Sequence, residues 1–268
     1  AHHRREWDWV NMIIARNGYN GMLLWQRKLP EGYLVHRSAF IATPDTFHMI
    51  DGDRCLQLDA KTGKEKGEIR IAGLPGEWKW MAMHDGVLYV LAGQPDGGVS
   101  TTKGDGTFGG WSWSDLSKEY YGRQIPVGFG DTLAAYDTKK KEVLWIRKED
   151  TLIDSRGLAL RDGKLFLYCP DRHMRCLDAA NGTVVWTNNQ EELLNSIEQP
   201  GQGLRSTPGW RTQTMMVATP KALIVQGQTR MNVVAVSTDT GYLLWKKPKV
   251  TNNPNAIYVD GNVILGIG

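Results

Sequence analysis

The sequence of 268 residues predicts an all-β protein in which four-stranded antiparallel sheets are arranged as the blades of a β-propeller. One observation is a phrase that recurs along the chain, in which a glycine stands four residues before a tryptophan. Another is a series of tight-turn signals, each followed by a short apolar segment. Units of four strands repeated about every 40 to 45 residues are typical of propeller blades. Helical repeats would need a periodicity of 3.6 residues, which these units lack.

The recurring phrase runs from an Asp through a Thr-Gly or Asn-Gly turn to a tryptophan. Gly182 and Trp186 belong to an intact copy, whereas Lys141 replaces the glycine before Trp145 and Gly67 stands in place of a tryptophan. We expect the tryptophan to be a packing wedge between neighbouring blades. We expect the Asp to accept hydrogen bonds from backbone amides around the turn. The copies cover residues 16–25, 58–67, 136–145, 177–186 and 236–245.

Tight turns predict the first two strands of each blade, A and B. An Asp-Gly pair tolerates the positive φ angles of a two-residue hairpin turn, whose twist suits antiparallel strands. Strand C should then end at the repeated Asp, and strand D should begin after the glycine turn. The predicted B strands are Thr46–Ile50, Val87–Leu91, Lys164–Tyr168, Ala222–Val225 and Asn262–Ile267.

These units predict one partial propeller domain over residues 1–268. The chain begins Ala1-His2 without an initiator Met and ends after a B strand, so we expect a piece of a longer polypeptide and an incomplete ring. No apolar run approaches the length of about 20 residues that a membrane helix needs. The predicted blades are residues 1–30 (partial), 33–73, 77–150, 153–190, 205–249 and 251–268 (half).

Two insertions, residues 94–130 and 187–213, interrupt the repeat and are predicted to lie on one face. The loops from strand B to C and from D to A emerge on that side, which we call the top face. The first insertion carries Trp111 and Trp113, which could cover a pocket or dock a partner, or could pack against a neighbouring blade. The second carries Glu191–Glu198, whose apolar residues have helical spacing and predict a short helix packed on the rim.

Polar residues stand where several A strands are predicted to begin, on the top face. Arg156 beside Asp154 could hold an anionic carboxylate through two parallel hydrogen bonds. Alternatively, these residues bond each other and the loop backbones. The candidate binding residues are Arg156, Asp154, Arg205, Arg211, Asn255, Trp111 and Trp113, with His36, Arg37, Asn252 and Asn253 as further polar residues on this face. No residue is assigned a catalytic role.

Charge and cysteine content exclude several classes of protein. A net charge of +3, with basic residues scattered among acidic ones, does not indicate a nucleic-acid partner. The sequence has no Cys-x-x-Cys-His haem motif and no zinc-type Cys/His spacing. Cys169 and Cys176 flank a short turn, where a cross-strand disulfide is one alternative and two ordinary thiols are favoured. Cys55 would then remain unpaired.

The phrase Leu-Asp-Ala-x-Thr/Asn-Gly-x-x-x-Trp resembles the tryptophan-docking repeat of quinoprotein-like (PQQ-like repeat) propellers, over residues of about 15 to 268. That family includes pyrroloquinoline-quinone (PQQ) alcohol dehydrogenases, the outer-membrane-assembly lipoprotein propeller and large secreted bacterial repeat proteins. The resemblance implies the propeller fold and a periplasmic or secreted location. It does not fix the chemistry, because both enzymes and scaffolds carry the repeat.

Three functions are compatible with the resemblance. The favoured one is a non-catalytic binding or scaffold propeller whose top face holds a protein partner or a small ligand. The second is a PQQ- and calcium-dependent alcohol or sugar dehydrogenase. The sequence lacks the adjacent cysteine pair of such enzymes and has no recognisable Asp/Glu/Asn calcium set. The third is one domain of a larger protein, for example a cytochrome-linked one.

Overall fold

The computed structural model describes residues 12–29, 39–95, 128–201, 203, 214–227, 232–248 and 255–266. Within these ranges the chain forms antiparallel sheets, four of which have four strands in chain order and two of which have two strands. We number these sheets as blades 1 to 6, blades 1 and 6 being the two-stranded half blades. The arrangement is that of a β-propeller, and no sheet of the described part joins the two half blades, so the ring is incomplete.

The strands of blades 1 to 3 are β1 (Met12–Arg16), β2 (Leu23–Lys28), β3 (Phe40–Ala42), β4 (Thr46–Asp51), β5 (Arg54–Asp59), β6 (Glu65–Ile69), β7 (Glu77–His84), β8 (Val87–Gly93), β9 (Phe129–Asp137) and β10 (Glu142–Asp154). Those of blades 4 to 6 are β11 (Leu158–Arg161), β12 (Lys164–Cys169), β13 (His173–Asp178), β14 (Val184–Asn188), β15 (Met215–Ala218), β16 (Ala222–Gln226), β17 (Asn232–Ser237), β18 (Leu243–Pro248), β19 (Asn255–Val259) and β20 (Asn262–Gly266). Among the described residues one helix, α1 (Glu191–Ile197), lies between blades 4 and 5. None of the described helices is long and apolar enough to cross a membrane.

The turns between strands C and D are held by a side chain at the end of strand C, as predicted. In blade 4, Oδ1 of Asp178 accepts hydrogen bonds from the backbone N–H groups of Ala180 and Asn181, at 2.8 and 3.3 Å. Asp59 and Asp137 do the same in blades 2 and 3. The Ser237 hydroxyl and the Asn17 amide take this role in blades 5 and 1. A short oxygen acceptor, rather than a carboxylate as such, is what the turn needs.

At three junctions the repeated tryptophan joins a blade to the next, which confirms the wedge prediction there. The indole Nε1 of Trp145 in blade 3 donates to the carbonyl of Ala179 in blade 4, at 2.9 Å. Its ring lies so close to Gly182 that a Cβ on that glycine would be 2.8 Å from Cδ2. Gly182 has a φ of 72°, a conformation that glycine adopts without a Cβ clash. Trp25 and Trp186 dock in the same way.

The junction between blades 2 and 3 lacks both halves of this contact. Gly67 removes the tryptophan from blade 2, and Lys141 fills the glycine position of blade 3 with a φ of 59°. Apolar packing takes the place of the dock, because Ile69 and Trp78 lie in one buried cluster between the two sheets. The N–H of Trp78 also donates to the carbonyl of Gly52 across the junction, at 2.9 Å. The two sequence irregularities therefore belong to one interface.

The cysteines do not form the disulfide that was one alternative. Cys169 pairs with His173 in the ladder, and Cys176 lies opposite Phe166. Cys169 packs in the cluster between blades 3 and 4, whereas Cys176 packs in the cluster between blades 4 and 5, so the sheet separates the two thiols. Burial raises the pKa of Cys169 to about 12 and that of Cys176 to about 11. Both are free structural thiols, as is Cys55.

The docking geometry predicts that Gly182→Ala destabilises the protein more than Gly163→Ala. The two glycines lie in the same blade with φ angles of 72° and 70°, so the substitutions carry similar backbone strain, about 1–2 kcal/mol. Only at Gly182 would the new methyl group overlap a tryptophan ring, adding about 1–3 kcal/mol. Urea unfolding followed by tryptophan fluorescence measures the difference. Equal losses of stability in the two variants would contradict the docking account.

Candidate functional site

The two faces of the propeller differ in the length of their connections. The opposite face, which we call the bottom face, carries the tight A–B turns and the C–D turns that receive the tryptophans. The top face carries both long connections, residues 94–128 between β8 and β9 and residues 189–214 between β14 and β15. Side chains of the top face are therefore the candidates for function, since loops on a rigid scaffold tolerate variation.

Asp154 and Arg156 form a buried ion pair on this face. Nε of Arg156 donates to Oδ1 of Asp154 at 2.6 Å, and Nη2 donates to Oδ2 at 3.0 Å. The carboxylate is fully buried, and the guanidinium lies over the ring of Phe129, 5.4 Å from its centroid. The guanidinium of Arg156 therefore already forms two hydrogen bonds with the carboxylate of Asp154. The alternative in which these residues bond each other is the one that the geometry supports.

Asp154 also links the end of blade 3 to the start of blade 5. It is the last residue of β10 in blade 3, not the start of an A strand as the sequence suggested, because a bulge between Lys148 and Ile153 lengthens β10. Its Oδ2 accepts a 2.6 Å hydrogen bond from the hydroxyl of Thr214, the residue before β15 of blade 5. The Asp154 carboxylate therefore joins the end of blade 3 to the start of blade 5, beside the loop that precedes blade 4.

Several polar atoms near this pair are buried and make no hydrogen bond within the described residues. They are Nη1 of Arg156, the hydroxyls of Ser155 and Tyr168, and both amide atoms of Gln226. Tyr168 is the second-to-last residue of the B strand of blade 4 and Gln226 is the last residue of that of blade 5, so both lie at the top ends of these strands. Buried polar groups are normally paired, so this concentration of unmade hydrogen bonds marks the strongest candidate site in the described part of the chain.

Acidic side chains near Tyr168 influence the ionisation of its hydroxyl. Burial raises the pKa of Tyr168 well above its ordinary value, and the charges of Glu198, Asp171 and Asp154 raise it further. The hydroxyl therefore stays protonated and can donate a hydrogen bond. Arg156 contributes a second donor, and Gln226 contributes both a donor and an acceptor. Together these groups could recognise a polar ligand or a peptide segment.

The start of the second insertion packs on the same site. Leu193 and Ile197 of α1 are buried in the cluster between blades 4 and 5, which confirms the predicted helix on the rim. The carboxylate of Asp171, in the B–C turn of blade 4, accepts hydrogen bonds from the N–H groups of Gly201 and Gly203 at 3.1 and 3.2 Å. This segment is thus fixed over the end of blade 4.

The other predicted site residues cannot be placed in this cluster. Asn255 is the first residue of β19, where its backbone pairs with Gly266. The residues that fall outside the described part of the chain are Arg205, Arg211, Trp111, Trp113, His36, Arg37, Asn252 and Asn253. Sequence reasoning missed Tyr168, Gln226, Glu198 and Thr214. The signal for the first two is a polar residue at the top end of an otherwise apolar B strand.

The described residues do not fit a calcium-bound PQQ. Asp154 occupies two nitrogen atoms of Arg156, so the predicted two-point clamp for a quinone carboxylate is already filled. Within the described ranges, no group of three or more His, Cys, Asp or Glu side chains could hold a metal ion. What this part of the top face offers is a set of hydrogen-bonding groups.

Replacing Asp154 tests the buried pair. Asp154→Asn leaves the Arg156 charge buried without its counter-ion, so we expect a loss of about 3–5 kcal/mol in unfolding free energy. The matched control is Asp53→Asn, which breaks the exposed pair with Arg70 and should change stability by about 1 kcal/mol or less. Chemical denaturation of both variants gives the comparison. A loss at Asp154 no larger than that at Asp53 would contradict the assignment.

Comparison with known proteins agrees with this architecture. The family described as outer membrane protein assembly factor BamB matches residues 121–262 of the chain. No curated protein matches the sequence. The crystal structure of BamB from Moraxella catarrhalis superimposes with a TM-score of 0.54 at 14% identity, covering 94% of this chain. The chain spans 60% of the length of that structure.

A second similar structure is the computationally designed Ika8 protein. Its TM-score is 0.44 at 14% identity, covering 87% of this chain and 69% of that one. The likeness to the Moraxella structure establishes the fold, and the family match extends over more than half of the sequence. The chain therefore belongs to the BamB-like family of PQQ-repeat β-propellers.

Proposed function

We propose that this chain is a non-catalytic binding or scaffold propeller that acts outside the cytoplasm and holds a protein partner on its top face. The observation that carries the proposal is a set of buried polar atoms that make no hydrogen bond within the described residues, namely Nη1 of Arg156, the hydroxyl of Tyr168 and the amide atoms of Gln226. A buried polar group without a partner costs about 1–3 kcal/mol, so a bound segment that supplies partners gains that energy back.

The difference between the bottom and top faces supports a binding role for the top face. On the bottom face, the turns at Gly63, Gly182 and Gly241 are each covered by a tryptophan from the preceding blade, so they have a structural task. The top face carries the long connections and the polar cluster. A partner could bind there without disturbing the contacts between blades.

Family membership supports a protein as the partner. The matched family is named for an outer membrane protein assembly factor, and a role in assembling proteins calls for protein partners. Since the chain spans 60% of the Moraxella BamB structure, we further propose that it is part of a longer polypeptide. A small polar ligand on the same groups is the other candidate, and the experiments below separate the two.

Site-specific photo-crosslinking tests the face of the propeller that binds. A benzophenone side chain replaces Arg172, exposed in the top-face B–C turn of blade 4, or Ala180, exposed in the bottom-face C–D turn of the same blade. Each variant is irradiated in an envelope extract of the organism that encodes the chain. We expect one predominant protein adduct from position 172 and none from position 180. Adducts of equal yield from both positions, or from position 180 alone, would contradict the proposal.

Titration with PQQ and calcium tests the catalytic alternative on the same protein. A ligand that binds only the folded state raises the melting temperature once it exceeds its dissociation constant. We expect no saturable quenching of tryptophan fluorescence, no rise in melting temperature and no dye-coupled oxidation of alcohols or sugars. Saturable binding with dye-coupled activity would replace the scaffold proposal with a quinoprotein dehydrogenase.

A further inference from the structure

The B–C turn of blade 4, residues 170–172, holds the segment that follows α1. The carboxylate of Asp171 accepts the hydrogen bonds from Gly201 and Gly203 that fix this segment. The backbone at Gly203 also packs tightly on the turn, since a Cβ there would lie 2.5 Å from Cβ of Pro170. Asp171 has a φ of 61°, in the left-handed region. Both contacts therefore depend on the conformation of the turn.

A buried histidine lies at the base of this turn. His173 is the first residue of β13, and it pairs in the ladder with Cys169, the last residue of β12. The two residues therefore close the turn. His173 is 7% exposed, and its Nε2 makes no hydrogen bond within the described residues. Buried polar atoms are normally paired, so this nitrogen is an exception in the interface between blades 3 and 4.

Charged side chains on two blades influence the ionisation of His173. Glu149 and Asp150 belong to the bulge of β10 in blade 3, and Arg175 lies two residues further along β13, on the same side of the strand. The buried carboxylate of Glu149 is already paired with the guanidinium groups of Arg147 and Arg175. A positive charge on His173 would therefore be repelled by Arg175, and the Glu149 carboxylate that could balance it is already engaged.

This environment favours the neutral imidazole. Burial lowers the pKa of His173 and the charge of Arg175 lowers it further, against the raising effect of Glu149 and Asp150. The thiol of Cys169 carries no charge, because burial raises its pKa to about 12. When the turn opens, water reaches the imidazole and its pKa returns to about 6.5. The closed turn therefore loses stability relative to the open turn as the pH falls below about 6.5, whereas above this pH both forms are neutral.

We propose that His173 is an acid-sensitive release for the segment fixed over the end of blade 4. Protonation of its imidazole favours the open B–C turn, and the open turn frees the backbone of Gly201 and Gly203 from Asp171. Tyr168 directly precedes Cys169 in the same B strand, so the change occurs next to the candidate site. The consequence for a bound partner, which would be released at acidic pH, rests on the proposed function. The opening of the turn does not.

Amide hydrogen exchange of the chain alone tests the release, followed by nuclear magnetic resonance on protein labelled at glycine. Exchange rates at Gly201 and Gly203 are compared with those of the unfolded chain at the same pH, which gives a protection factor. The measurement is made at about pH 7.5 and at about pH 5, on either side of the ordinary histidine pKa. We expect protection at both glycines to be about tenfold lower, or more, at the acidic pH, because protonation of the open form favours opening by that factor.

Two variants assign the effect to His173. His173→Gln places an uncharged side chain at the buried position, and His84→Gln removes a histidine whose side chain is 56% exposed. The readout is the ratio of protection between the two pH values, so a uniform loss of stability in a variant does not obscure it. We expect this ratio to be close to one in His173→Gln and unchanged in His84→Gln. Protection that does not depend on pH in the unaltered chain, or an equal fall in His173→Gln, would overturn the proposal.

The exchange experiment needs no partner, so its outcome is separate from that of the crosslinking experiment at Arg172. An acid-dependent loss of protection without a crosslinked adduct would support the release and count against the proposed function. An adduct from position 172, combined with protection that does not depend on pH, would support the proposed function and overturn the release.

Discussion

The structure depends on one contact, a tryptophan ring laid over a left-handed glycine of the following blade. A single four-stranded sheet cannot bury both of its faces, so each blade is stable only against its neighbours. The dock supplies a large apolar ring, a hydrogen bond from its indole and a fixed angle of approach. Because glycine alone leaves room for the ring, tryptophan and glycine must occur together. At the junction between blades 2 and 3, Gly67 stands in place of the tryptophan and Lys141 in place of the glycine. The two partners are therefore lost together.

Residues beside the docked tryptophan reinforce the same junctions. Two positions after Trp145 and Trp186, the side chains of Arg147 and Asn188 donate to the carbonyls of Gly182 and Gly241. After Gly67 the equivalent residue is Ile69, which packs in the apolar cluster that replaces the dock. After the undocked Trp245 it is Lys247, whose ammonium lies over the ring of Trp245 itself. The residue two positions after the tryptophan is thus a hydrogen-bond donor at these two docked junctions, apolar where packing replaces the dock, and a lysine after the undocked tryptophan.

This use of the bottom face leaves the top face free for function. The C–D turns cannot vary freely, because their glycine and their carbonyl both serve the neighbouring tryptophan. In the described part of the B–C and D–A connections no tryptophan docks on a glycine, and the two long insertions occur in these connections. Near blades 4 and 5 the top face holds a closed ion pair, Asp154 with Arg156, beside polar groups with unused hydrogen-bonding capacity. The ion pair fixes the loop, and the polar groups are where we propose that a partner binds.

Much of this architecture could be predicted from sequence because it rests on local rules. The glycine–tryptophan spacing, the Asp-Gly hairpins and the capping role of Asp178 each depend on a few consecutive residues. The end of β10 at Asp154 could not be predicted, because the bulge that lengthens this strand is set by pairing with β9. Tyr168 and Gln226 were missed because their burial depends on packing against residues that are distant in sequence. Separating Cys169 from Cys176 likewise required knowing which face of the sheet each one occupies.

Hydrogen exchange at the indole N–H groups, followed by nuclear magnetic resonance on protein labelled at tryptophan, tests the docking contact most directly. Signals are assigned by replacing one tryptophan at a time with phenylalanine. We predict that the indole protons of Trp25, Trp145 and Trp186 exchange far more slowly than those of the unfolded chain, because each is bonded to a backbone carbonyl of the next blade. Exchange of these three protons at the rate of the unfolded chain would contradict this prediction.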